Sequence, residues 1–101
     1  MTSWHKLTNG IDEEILVTFF EGYPVNRSYS KLIKPNEVFE IKDQVDRPGH
    51  YYVISVTRNF KQEEIVFRKM YSWHELFLAS QEDKVDGFHI TEERLKTWEH
   101  D

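Results

Sequence analysis

The stretch Tyr51-Tyr52-Val53-Ile54-Ser55-Val56-Thr57, followed after Arg58-Asn59-Phe60-Lys61 by Glu63-Glu64-Ile65-Val66-Phe67-Arg68-Lys69, decides how this chain is read. Both runs are short and rich in β-branched and aromatic residues, the composition of strands rather than helices. A short polar link between two such runs predicts a β-hairpin.

Working toward the N-terminus, Glu37-Val38-Phe39-Glu40-Ile41 alternates apolar and polar residues, with Phe39 and Ile41 on one side. Before it, residues 28–34 alternate more loosely, with Tyr29, Lys31 and Ile33 against Ser30, Leu32 and Lys34, and Pro35-Asn36 breaks the run. Residues 14–20 place Ile15, Val17 and Phe19 on one face of a further strand. Leu16 and Phe20 fall on the other face, which predicts that both faces are largely covered. Asn9-Gly10 marks a turn. Five strand signals at roughly ten-residue spacing, with no room for crossover helices between residues 14 and 69, predict antiparallel pairing. Toward the C-terminus the pattern changes. Ser72 and Glu75 form a capping box, Tyr71 and Leu76 its flanking apolar staple, and Trp73, Leu76, Phe77 and Ser80 keep helical spacing. Thr91 is an N-cap signal flanked by Ile90 and Leu95, and predicts a terminal helix running to about His100 with Leu95 and Trp98 buried. The expected fold is therefore mainly β, with an α+β C-terminal end. It is a small antiparallel sandwich or open barrel of about five to seven strands, in a single domain spanning residues 1–101, with one or two short helices.

Composition narrows the function classes. The chain has 101 residues, 31% of them charged and 15% aromatic, and no cysteine. Disulfides, thiolate catalysis and cysteine-ligated metals are excluded, and with no apolar leader visible a cytoplasmic location is expected. The net charge of −5 is uneven: residues 1–24 carry −3, residues 25–70 carry +3 and residues 71–101 carry −5. An acidic chain is a poor general nucleic-acid binder, so none is expected as partner. No metal or other cofactor is expected either. The histidines show no ligand spacing. Residues 82–93 match a calcium loop aligned on Gly87 only until Lys84 falls on a ligand position that needs an oxygen.

The residues left over point to contact rather than chemistry. No nucleophile elbow, phosphate loop or metalloprotease motif is present, so the chain is read as non-enzymatic. Arg27, Tyr29 and Lys31 share one side of their strand with Lys34 just beyond, a cationic stripe suited to an acidic partner. The same lysines also suit an edge strand protected against aggregation. Tyr51 and Tyr52 point to opposite sides, so one of them faces outward. These residues, or the acidic C-terminal third, are expected to bind a protein partner or a second copy. A lectin-like sandwich stacking a carbohydrate or other small ligand on an exposed tryptophan is the alternative. A small hydrolytic enzyme using the loop that holds Asp43, Asp46, Arg47 and His50 is a further one.

Overall fold

The hairpin at the centre of the sequence is the longest ladder in the protein. In a computed structural model that describes residues 6–21, 27–41, 51–60, 63–82 and 87–100, β5 (Tyr51–Phe60) pairs antiparallel with β6 (Glu63–Ser72) from Tyr51 opposite Ser72 to Phe60 opposite Glu63. On the other side of β5 lies β2 (Ile15–Glu21), and outside β2 lies β3 (Arg27–Ile33). A two-residue strand, β8 (Glu99–His100), completes the row on β6, giving a five-stranded antiparallel sheet in the order β3-β2-β5-β6-β8. A second sheet of three short strands has β1 (Lys6–Asn9) between β4 (Val38–Glu40) and β7 (Phe88–Ile90).

The mainly-β expectation holds, with two short helices near the C-terminus. Three details differ. β1, β7 and β8 are additional short strands, so the described residues hold eight. β1 and β7 run parallel, a pairing that needs a long connection and has nearly the whole chain for it. The terminal helix is a single turn, α2 (Glu92–Leu95), after which the chain extends into β8. Thr91 caps α2 as the sequence predicts, its hydroxyl accepting from the Arg94 N–H at 3.2 Å. The capping box at Ser72 is also present. Ser72 N–H donates to Glu75 Oε1 at 3.1 Å and Glu75 N–H donates to Ser72 Oγ at 3.2 Å, starting α1 (Trp73–Glu82) directly at the end of β6.

The core lies between the two sheets. Ile15, Val17, Phe19, Tyr52, Ile54 and Val56 from the large sheet are enclosed together with Leu7, Phe39, Phe88 and Ile90 from the small one, and Leu76, Leu95 and Trp98 close the C-terminal side. Tyr71 is edge-on to both Phe88 and Trp98, and its hydroxyl accepts from Trp98 Nε1–H at 3.1 Å. Two polar devices seal this core. Asn9, fully buried, donates through Nδ2 to the carbonyls of Glu13 and Ile33 and accepts through Oδ1 from the Ile11 N–H, so its amide joins three backbone segments. Arg58, on the inward side of β5, donates to Glu13 and, at 3.0 Å, to Glu92, tying the sheet to the turn after β1 and to α2. The hydrogen bond to Glu92, aided by Glu13, raises the Arg58 pKa, while burial opposes it. Gly87 is required where it stands: its φ is 102° and a Cβ would lie 2.6 Å from the Lys6 carbonyl oxygen.

Candidate interaction surface

Strand alternation gives the large sheet a second face. Leu16, Thr18 and Phe20 of β2 point away from the core, with Ser28, Ser30 and Leu32 beside them on β3. On β5 the outward residues are Tyr51, Val53, Ser55, Thr57 and Asn59. Neither helix nor strand among the described residues covers this face, and large side chains stand open on it: Leu32 is 54% exposed, Tyr51 52% and Met70 63%. The expectation that both faces of β2 are covered is thus corrected. Leu16 and Phe20 are exposed because the small sheet packs only on the side of Ile15, Val17 and Phe19.

The register arranges the outward residues in rows across the strands. One row is Phe20–Val53–Met70, and another is Leu32–Leu16–Thr57–Val66. Between them runs a low polar row, Ser30–Thr18–Ser55–Arg68–Glu99, in which the Thr18 and Ser30 hydroxyls hydrogen-bond at 2.9 Å. Outward positions on β2, β3 and β5 carry no charge. The charges sit on β6 and β8, where Arg68 and Glu99 are cross-strand neighbours. A hollow of about 440 Å³ opens at this margin, lined by Val53, Arg68, Lys69, Met70, Thr97 and Glu99. A smaller one, about 170 Å³, lies over Arg58 and Glu92, where the guanidinium is already engaged by carboxylates.

The residues singled out in the sequence do not form one surface. Arg27, Tyr29 and Lys31 do share one side of β3, but it is the side of the core: Tyr29 is paired with Phe19 and Lys31 with Val17. Tyr29 is half-buried against the core and Arg27 lies 3.7 Å from the buried Glu21 carboxylate, while Lys31 is exposed on the outermost strand. Lys34 stands exposed in the turn that follows, where Asn36 takes a φ of 66° and the Glu37 N–H donates to the Lys34 carbonyl. Tyr52 is corrected outright. It is 0% exposed, stacked on Phe19 with ring centroids 5.3 Å apart, and offers a partner nothing. Tyr51 is the outward member of the pair. Asp43, Asp46, Arg47 and His50 lie outside the described residues, as does Trp4. Trp98 is core, and Trp73 is half-buried and stacked on Phe77. Among the described residues no group of three or more histidine, aspartate or glutamate side chains is placed to hold a metal ion, and no helix is long and apolar enough to cross a membrane.

The outward face was missed because Leu16, Phe20, Leu32 and Met70 read as ordinary strand residues. Their signal is compositional: uncharged side chains in a chain that is 31% charged. Comparison with protein-family models, with curated proteins and with solved structures finds no match to this chain.

Proposed function

We propose that this chain is a non-enzymatic protein-interaction module that docks a protein on the outward face of its five-stranded sheet. The observation that carries the reading is the concentration of exposed Leu16, Phe20, Leu32, Tyr51 and Met70 on one uncovered face whose β2, β3 and β5 positions lack charge. Aromatic residues, Met and Arg are enriched in protein interfaces, and charges are depleted from their centres. Contiguous apolar patches on a folded chain mark contact sites. The hydroxyls of Thr18, Ser30 and Ser55 supply hydrogen-bonding capacity without the desolvation cost of a charge.

The test uses Met70→Glu, a change at a side chain that is 63% exposed and so tolerated by the fold. Wild-type and M70E chains are immobilised side by side and offered the soluble proteins of the source cell. Proteins retained by the wild type and lost from M70E support the reading. Identical retention, combined with amide shifts that map binding to the small sheet or the helices, overturns it.

A further inference from the structure

We infer that the open edge of β6, from Glu63 to Val66, takes an extended peptide as an added strand, with an apolar side chain seated in the hollow beside Ile65 and a basic one opposite Glu64. This contact uses the edge of the five-stranded sheet and stands independently of its outward face.

The edge supplies the backbone. On one side, β5 pairs with all ten residues of β6. On the other, β8 pairs only with Phe67 and Arg68, and among the described residues no strand continues the row beside Glu63, Glu64, Ile65 and Val66. Alternate residues of that stretch therefore turn a backbone N–H and C=O outward, the groups that recognise an added strand. β8 shows how such a strand sits here. Its His100 lies opposite Phe67, with ring centroids 5.5 Å apart. By strand alternation, the next position on that side of the row lies opposite Ile65.

The hollow sets the preference at that position. It measures about 170 Å³, small enough to admit a single side chain, and Ile65, Phe67 and Leu95 wall it. Its polar floor is already satisfied, because Glu13 and Glu92 hold the Arg58 guanidinium. Lys96 on its rim repels a second cation. An apolar side chain is what the hollow accepts. The neighbouring position has the opposite chemistry. Glu64 is exposed and points to the other side of the sheet, where a cross-strand residue of opposite charge is favoured, and the exposed Glu63 adds to the negative potential. The partner is thus an extended chain in which a basic residue adjoins an apolar one. A second copy offering its own β6 edge would crowd four carboxylates onto one short ladder, which disfavours it.

The probe is the end-blocked peptide Lys-Val-Lys-Leu-Lys-Val, in which basic and apolar residues alternate as the edge requires. Amide shifts are expected to saturate with a Kd of about 100 µM or tighter and to centre on residues 63–66, Leu95 and Lys96. Serine in place of each valine and leucine should weaken binding at least about tenfold. Glu64→Lys should weaken it about fivefold. Glu40→Lys, the same charge change at an exposed position of the small sheet, should leave it unchanged. N-methylation supplies the signature of strand addition. Methylating the apolar residues and methylating the lysines block opposite edges of the peptide, so one form should lose binding and the other keep it. Absence of saturable binding, shifts centred elsewhere, serine replacement without effect, a loss as large for E40K as for E64K, or equal effects of the two methylations overturns the inference. So does a free chain in which every amide from Glu63 to Val66 resists hydrogen exchange, since the edge is then already covered.

Discussion

Phe19 and Phe20 follow one another in β2, yet the first is fully enclosed and the second is 37% exposed. The difference is not one of hydrophobicity. β2 offers an apolar side chain on both faces, and the covered face is decided by where Leu7, Phe39 and Phe88 of the small sheet pack. One set of strands thus builds a surface that holds the fold and a surface that the fold does not need. The inward face carries the stability, and the outward face is open for contact.

The sharpest way to break this comparison is to truncate both phenylalanines. Phe19→Ala removes a ring stacked on Tyr52 and leaves a cavity between the sheets; a loss of about 3–5 kcal/mol is expected. Phe20→Ala removes packing against its cross-strand neighbour Val53 and leaves no cavity, so about 1 kcal/mol is expected. Urea unfolding of the two variants measures both, and equal losses would mean that the outward face is covered in solution. Asn9→Ala comes next. Its amide serves the Ile11 N–H and the Ile33 carbonyl inside the structure, and stranding those groups should cost about 2–3 kcal/mol by the same measurement.

How much of this was legible in the sequence follows from the range of the interactions involved. The strands β2, β5 and β6 declared themselves by composition, because short runs of β-branched and aromatic residues closed by turn or polar residues read as strands without any tertiary information. The caps at Ser72 and Thr91 were equally clear, since capping is completed within four residues. β1, β7 and β8 have too few residues to show a period. β8 was masked further by Leu95 and Trp98, whose i, i+3 spacing imitates a helix. The Arg27–Tyr29–Lys31 stripe was recognised as sharing one side, and Ile33 on the same parity was the signal that this side faces the core. Arg58 gave no signal at all. Its carboxylate partners are 45 and 34 residues away, and only the tertiary fold brings them together.

The inward face also contains a titratable group, which makes pH a probe of the comparison. Burial, the main cause, raises the Tyr71 phenol above its ordinary 10.0, with the Trp98 hydrogen bond pulling the other way. A proton held more tightly in the folded state than in the unfolded one contributes stability fully below pH 10, and that contribution is lost as pH rises through the folded value. Tyr71→Phe should therefore cost about 1–2 kcal/mol at neutral pH, because the Trp98 indole N–H loses its buried acceptor. Above pH 10 its stability should fall less steeply than that of the wild type. Urea midpoints measured in parallel from pH 8 to about 11 read the difference. Curves that stay parallel across that range would show that Tyr71 is not held neutral by burial.

The smallest expected effect is the most exacting, because it sets a hydrogen bond on the outward face against those of Asn9 on the inward one. Thr18 and Ser30 share a hydroxyl–hydroxyl contact of 2.9 Å, as short as the Asn9 contact to the Ile11 N–H at 2.9 Å. Geometry alone would rank them together. The outcome when a partner is removed separates them. Deleting the Thr18 hydroxyl leaves Ser30 facing water, which replaces the lost bond at once, whereas the groups stranded by Asn9→Ala have no water to turn to. Thr18→Val, which keeps the β-branch and the strand preference, should change stability by no more than about 0.5 kcal/mol, read from urea midpoints beside those of Asn9→Ala.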